Sequence, residues 1–333
     1  MLEQSQIADR LIHAWDADDA RWQESVAVWF FDAEAGAGGF FRFGVHPVDG
    51  LGRANLFAFF QDGQRFRRVH REVRVEATPG EPICVGECIA DVDGEGRLRY
   101  SWSEPECEAE LTMVEHFYAE HGFAGAGDDA IGGLIYGGHL ESSGVLSGRL
   151  RIADREREIH ALVHRDRSWG PRDMSVVVTN RMMTGTFGPE VSFALNTIAL
   201  TGGTIANVGF VARDGVVEDV ADFVLLPSIH LDGYSVEGGT ALVRLASGEQ
   251  LTVTCETVEG FLNPHDDYLC SEHISIAWCD GRVGFCDNEL TNNPRLGTAM
   301  PPFTQYVMSG DGLSDPVPRP YRTPRVPEGQ GFS

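Results

Sequence analysis

Hydrophobic positions along the chain change period once, near residue 22. Over residues 3–22, Ile7, Leu11, Ile12 and Trp15 recur at helical spacing, which predicts one amphipathic N-terminal helix. Beyond Trp22 the apolar residues fall into short runs broken by Gly, Asp and Pro. The runs cover 26–31, 39–45, 55–60, 65–76, 98–102 and 108–118, then 144–152, 157–164, 175–180, 191–200, 205–213 and 216–225. Within 65–76, Phe66, Val69, Val73 and Val75 alternate imperfectly with arginines. Two hairpins are read directly. Runs 240–246 and 250–258 flank Ser247-Gly248-Glu249, and runs 271–279 and 282–290 flank Asp280-Gly281, a dipeptide suited to a two-residue hairpin turn. The Gly-rich stretch 122–133 and the Pro- and Gly-rich tail from Asn292 read as irregular.

Roughly sixteen or more short strands with frequent turns and little helix predict an all-β sandwich or barrel architecture, duplicated across the length of the chain. The Gly-rich stretch is the best boundary. The expected division is an N-terminal helix over 1–24, a β domain over 25–130, a second β domain over 131–295, and an irregular tail over 296–333. Barrels of about eight strands leave room for one small apolar ligand.

Composition narrows the chemistry. The 333 residues include 26 basic side chains, all of them arginine, against 50 Asp and Glu, for a net charge of −24. Without lysine there is no Schiff-base, Walker A or serine–lysine chemistry. The acidic balance argues against nucleic acid and against an anionic membrane surface as partners. The apolar runs are strand-length, so no membrane insertion is expected. The polar start, MLEQSQIADRLIHAWDADD, does not have the pattern of a signal peptide. Seven cysteines without zinc-type CxxC pairs suit a reducing, cytoplasmic setting, and Cys84 and Cys88 read as plain core thiols. The stripe Arg65, Arg67, Arg68, Arg71 and Arg74 is expected to pair with carboxylates, internally or across a homodimer.

One stretch concentrates functional groups: His164-Arg165-Asp166-Arg167-Ser168-Trp169-Gly170-Pro171-Arg172-Asp173. Its arginines and aspartates cannot all enter a core unless paired. Gly170-Pro171 predicts a turn just after the Trp, which would leave a carboxylate and an indole at a strand end. A carboxyl against apolar walls has a raised pKa and can act as a general acid. An indole face stabilises a nearby cation, and Arg172 could orient the acid or clamp a substrate oxygen. The same residues also fit a surface ion-pair corner with Trp169 as a packing plug.

RDRSWGPRD resembles the RDxSWGxR signature of a double-lipocalin family related to carotenoid 1,2-hydratase (hydroxyneurosporene synthase). His139-Leu140-Glu141-Ser142-Ser143-Gly144 resembles that family's H-x-E-x-x-G strand, and Gly281-Arg282-Val283-Gly284-Phe285 with Glu289 resembles its closing hairpin. The likeness spans roughly residues 25–295 and departs at Arg167, where relatives often carry His. It implies two lipocalin-like antiparallel β-barrels packed together, in agreement with the strand count. It also implies action on hydrophobic isoprenoid-like or polycyclic substrates, by adding or removing water or by moving double bonds.

The expected function is therefore a cofactor-independent hydro-lyase or isomerase holding a small hydrophobic substrate in a cavity between two barrels. Asp166, Trp169, Arg172, Glu141 and His164 are the expected catalytic residues, with Asp173 helping Arg172 to hold Asp166. Tyr136, His139, Asp173, Glu289 and His265 are expected to line the substrate. The alternative is a non-catalytic lipocalin-like carrier of a lipid or terpenoid. Asn263-Pro264-His265-Asp266-Asp267 with His273 has metal-ligand residue types but no recognised ligand spacing, so no metal is expected. His160 and His164, four apart on one strand, should face the same side.

Overall fold

The computed structural model describes residues 4–117, 119–120, 137–265, 268–296 and 307–315. The helix expected over 3–22 is confined to Gln4–Ala8. The following backbone groups leave the helical ladder for tertiary partners. Ile12 N–H donates to Glu81 O at 2.9 Å, and Ile12 O accepts from Gly80 N–H at 2.8 Å. Leu11 O accepts from Arg167 and His13 N–H donates to Glu24. Asp16 and Asp19 then fold their own turns, each accepting from the amide two residues on. Helical spacing of four apolar residues was outweighed by the buried site for Ile12, 3% exposed.

Among the described residues, the elements that follow are β-strands apart from the 3-10 turns Met174–Val176 and Pro294–Leu296. The first unit holds β1 (Trp22–Asp32), β2 (Ala37–His46), β3 (Leu51–Phe60), β4 (Arg65–Arg74), β5 (Ile83–Val85), β6 (Cys88–Val92), β7 (Leu98–Glu104), β8 (Cys107–Glu115), β9 (Ala119–Glu120), β10 (Gly138–Ile152) and β11 (Arg155–Pro171). The second holds β12 (Val177–Thr186), β13 (Ser192–Leu200), β14 (Ile205–Arg213), β15 (Val216–Ile229), β16 (Val236–Leu245), β17 (Gln250–Pro264), β18 (Leu269–Cys279) and β19 (Arg282–Asn292). A late strand, β20 (Gly312–Ser314), returns to the edge of β4 in the first unit.

The first unit is one curled antiparallel sheet in the order β20-β4-β3-β2-β1-β11-β10-β8-β7-β6-β5, with β9 on β10. The second is a closed eight-stranded barrel, β12 to β19 in sequence order. Closure removes the unpaired edges that would otherwise invite aggregation. Asp280 and Gly281 both have positive φ, 48° and 77°, as the predicted β18–β19 turn requires.

The units do not part where the sequence suggested. β10 and β11 follow the Gly-rich stretch, itself outside the described residues, yet they belong to the first sheet, and the second unit begins at Met174. A glycine-rich segment marks a place where the chain is free to turn; it does not say which sheet the next strand joins. Here β11 inserts beside β1, pairing over ten positions from Trp22↔Pro171 to Phe31↔Leu162.

The first core is aromatic, built on Phe30, Phe41, Phe43, Phe60, Phe66, Tyr100 and Trp102. Each fully buried Phe contributes about 1.5–3 kcal/mol. The barrel core is smaller in side chain, with Met183, Phe193, Leu195, Val211, Leu251, Val253 and Cys286. Cys88 is a core thiol, as expected, but Cys84 is exposed, because β5 alternates and its central residue points out. From the arginine stripe, Arg67 pairs with Asp311, and Arg68 lies 3.5 Å from Glu104 and 3.2 Å from Glu106.

One buried ion pair ties the N-terminal segment to the sheet. Arg167 and Glu24 are both 0% exposed and joined through Arg167 Nη2 and Glu24 Oε2. Arg167 also donates to Leu11 O at 2.8 Å, Ser168 O at 2.9 Å and Ser25 O at 3.2 Å. Glu24 accepts from Trp22 Nε1 at 3.2 Å and contacts His13 Nδ1 at 3.2 Å. Burial pushes Glu24 up, but Arg167 and His13 outweigh it and hold the carboxyl below its ordinary value. Replacing Arg167 by Met leaves a buried, uncompensated carboxylate and should cost about 3–5 kcal/mol in urea unfolding. Adding Glu24→Leu should recover much of that loss. A single Arg167→Met loss below about 1 kcal/mol would show that the pair does not matter.

Candidate active site

Strand register decides which charges meet. β11 is paired along both edges, to β1 and to β10, so successive side chains leave on opposite faces of the sheet. The motif therefore lies inside the last part of β11, which ends at the Gly170-Pro171 pair, and it splits in two. Arg165, Arg167 and Trp169 share one face with Glu24 and Val26. His164, Asp166 and Ser168 share the other with Ser25, Ala27 and Trp29.

Three cross-strand rows build the second face. Arg42, Ala27, Asp166 and Glu141 stand opposite one another across β2, β1, β11 and β10. Phe40, Trp29, His164 and Ser143 form the row on one side, and Gly44, Ser25, Ser168 and His139 the row on the other. Neighbouring members of a row are about 4.8 Å apart strand to strand, and Ala27 has no bulk to separate Arg42 from Asp166.

Hydrogen bonds and one ion-pair contact join these residues into a chain. Ser143 Oγ lies 2.8 Å from His164 Nδ1, and His164 Nε2 contacts Glu141 Oε2. Glu141 Oε1 is 3.4 Å from His139 Nε2, which is 2.7 Å from Asp166 Oδ2. Glu141 thus bridges the two imidazoles. His164, Ser143 and Glu141 are buried, while the Asp166 side chain is 16% exposed and opens the chain outward. Arg42, placed by Gln23 Oε1 at 2.9 Å, and Arg172 set the field around Asp166.

The electrostatics assign protonation states. Burial drives His164 down to about 3, so it is a neutral imidazole at ordinary pH, accepting from Ser143 and donating to Glu141. Burial pushes Asp166 up, but His139, Arg172 and Arg42 outweigh it and hold the carboxyl below its ordinary value. Asp166 is therefore ionised at neutral pH and suited to accept a proton. One donor atom from each of His139, Glu141 and Asp166 lies within 4.8 Å of the others, a spacing a cation could span. Here, though, the His139 ring nitrogen already stands between the two carboxylates.

The expected site residues separate clearly. His139, Glu141, His164 and Asp166 come together, with Arg172 acting on Asp166. His164 reaches Asp166 only through Glu141 and His139, its own Nε2 being bonded to Glu141. Trp169 does not shield that chain: it lies on the opposite face, stacked on His13 at 4.0 Å with Arg167 5.5 Å from its ring centroid. The indole covers Gly138, where an added Cβ would stand 2.2 Å from ring carbons. Asp173 acts on Arg21, whose pKa is raised chiefly by its bond to Asp19. His160 bonds Ser147 at an exposed position. Glu289 and His265 belong to the barrel unit, the first held by Asn180 at 2.8 Å, the second stacked on Tyr268. Tyr136, Asp266 and Asp267 lie outside the described residues. His273 is buried, its Nδ1 2.7 Å from Asn288 O and its pKa driven by burial to about 4.

Sequence reasoning missed Arg42, Gln23 and Ser143. Only the register of β2 against β1 carries Arg42 to Asp166, and no spacing in the chain encodes that pairing. Ser143 sits in the quoted HLESSG run, and its position two residues after Glu141 marks it as a neighbour on the same face.

A family described as domain of unknown function (DUF7064) matches residues 6–294. No curated protein sequence matches the chain. Among solved structures, an AttH-like protein of Nitrosomonas europaea is 14% identical with a TM-score of 0.62, over 88% of this chain and 97% of that one. CghA is 12% identical with a TM-score of 0.57, over 87% and 98%. Kievitone hydratase of Nectria haematococca is 9% identical with a TM-score of 0.57, over 86% and 92%. At these identities the likeness is one of fold.

Because the folded-state pKa of His164 lies below its unfolded value, its contribution to stability is complete above about pH 6.5 and is lost as pH falls toward 3. Nitrogen chemical shifts of the His164 ring should stay those of a neutral imidazole down to about pH 3. Titration of that ring between pH 6 and 7 would contradict the assignment.

Proposed function

The chain belongs to the family described as domain of unknown function DUF7064, and from that premise we propose that it is an acid–base lyase or isomerase of a hydrophobic substrate. The observation that carries this reading is the bonded series Ser143–His164–Glu141–His139–Asp166, which ends in an ionised, partly exposed carboxylate beside Arg42 and Arg172. Isolated buried charges are costly, and a structural ion pair needs two partners, not a graded line of carboxylates and imidazoles.

In this mechanism Asp166 is the base. It takes a proton from a carbon next to a double bond or a hydroxyl, becoming the neutral acid. The same proton is then returned to another carbon, which moves the double bond, or to a departing hydroxyl, which leaves as water. Hydration is the reverse: the water oxygen bonds to one alkene carbon as its proton passes to the carboxylate, and the neutral acid then gives that proton to the other carbon, regenerating the carboxylate. His139 donates to Asp166 and orients it, Glu141 and His164 hold His139 in place, and Arg42 or Arg172 steadies negative charge on a substrate oxygen. None of these steps needs an organic cofactor.

Two fold relatives support this choice of chemistry. One is a kievitone hydratase by name, and CghA has been crystallised with Sch210972. The resemblance of the RDRSWGPRD and HLESSG stretches to the carotenoid 1,2-hydratase relatives points to an isoprenoid-like or polycyclic substrate, and Asp166, Glu141 and His139 fall within those stretches.

Incubating the purified protein with lipophilic extracts should yield a product that differs by one water, or an isomer of equal mass with altered retention. Asp166→Asn and His139→Gln should each lower turnover by about 10²–10⁴-fold with the β circular-dichroism signal intact. Full activity in Asp166→Asn would overturn the mechanism. Tight ligand binding without conversion in the wild-type protein would instead favour a carrier.

A further inference from the structure

The barrel unit holds a second group of buried carboxylates that the reaction above does not use. On the shared face of β18 and β19, one donor atom each from Cys270, Glu272 and Glu289 lies within 4.8 Å of the others. Cys270 is 2% exposed and Glu272 1%, while Glu289 is half-buried. Asp287, two residues before Glu289 on the same face and 0% exposed, presses its carboxyl against Glu272. Asp287 Oδ1 accepts the His273 amide at 2.8 Å, but Oδ2 meets no donor among the described residues.

Two abutting buried carboxyls require something positive between them, either a proton or a cation. We propose that this group is a divalent-cation site of the barrel, liganded by Cys270 Sγ and the carboxylates of Glu272 and Glu289, with Asp287 adjoining. A thiolate with carboxylates selects a borderline-soft ion, and zinc fits that set in tetrahedral form.

The surroundings are those of a built site. Asn180 Nδ2 and Thr291 Oγ1 each donate to Glu289 Oε1 at 2.8 Å, and Asn263 Nδ2 donates to Glu272 Oε1 at 3.1 Å, so amide and hydroxyl donors fix the direction of both carboxylates. The Cys270 thiol lies 3.4 Å from the same Glu272 oxygen. The contrast with the first cluster is chemical: there a histidine nitrogen fills the gap between two carboxylates, while here, among the described residues, the donor set is a thiol and carboxylates, with the Arg181 guanidinium acting on Glu289. Burial and the two glutamates push the Cys270 thiol well above its ordinary value. A bound cation reverses this, so the thiol proton must leave for solvent as the metal–sulfur bond forms.

Cobalt is the probe, with zinc as competitor, on the full chain freed of metal by a chelator. One equivalent of cobalt should bind with a near-ultraviolet thiolate-to-cobalt charge-transfer band that zinc abolishes. Cys270→Ser should remove the band, Glu289→Gln should weaken binding at least tenfold, and Cys255→Ser should change neither. Zinc should raise the melting temperature of the wild type but not of Glu289→Gln, and each zinc bound should release at least one proton. Absence of cobalt and zinc binding, or a band that survives in Cys270→Ser, overturns the proposal and leaves Glu272 and Asp287 sharing a proton. Turnover on lipophilic substrates is read separately, so failure here leaves the acid–base mechanism standing.

Discussion

Strand β11 is hydrogen-bonded along both edges, and that constraint organises the first unit. A strand paired on two sides can send its side chains in only two directions. The run Arg-Asp-Arg-Ser-Trp therefore cannot act as one cluster, however dense it looks in sequence. Its arginines and indole turn one way, into a buried pin with Glu24, His13 and Leu11; its aspartate and the preceding histidine turn the other, into the bonded chain. The pin and the chain share a backbone, so whatever fixes the strand on one face fixes the acid–base groups on the other. Precise positioning of reacting groups asks for this kind of rigidity.

Desolvation explains why both faces look as they do. Arg167, Glu24, Glu141 and His164 are all at or near zero exposure, where an unpaired charge would be prohibitive. The chain carries no lysine, so every fixed cation is a guanidinium that keeps its charge and can bond several acceptors at once. Arg167 uses this capacity fully, reaching a carboxylate and three backbone carbonyls. Where guanidinium is not used, as between Glu141 and Asp166, the His139 imidazole fills the role.

Much of the fold was legible because it follows from local chemistry. Strand period, the Asp280-Gly281 turn and the absence of long helical patterns led to an all-β chain without reference to distant residues. What was not legible depended on register. The pairing of Ala27 with both Arg42 and Asp166 is a fact about the β1–β2 hairpin and a third strand, β11, far from it in sequence. The assignment of β10 and β11 to the first sheet is likewise a choice of partner, which glycine content does not encode. The N-terminal helix failed for a related reason: Ile12 gains more from the core than its segment gains from continuing a helix. At the site, the alternation inside Arg165–Trp169 was present in the sequence all along. Reading it required knowing that the strand continued through the motif.

The split also changes what Asp166 can be. Had the strand ended before it, the carboxyl would have stood with an indole wall and a raised pKa, in the setting of a general acid. On the observed face its neighbours are Arg42, Arg172 and His139, with Trp169 behind the sheet. Apolar walls raise a carboxyl and cations lower it, and here three cationic or hydrogen-bonding partners outweigh burial. A carboxylate so held begins a reaction cycle empty-handed and must take a proton before it can give one. In the reaction we propose, proton abstraction from the substrate therefore comes first, and the arginines that keep Asp166 ionised are also the groups best placed to receive the negative charge that abstraction creates.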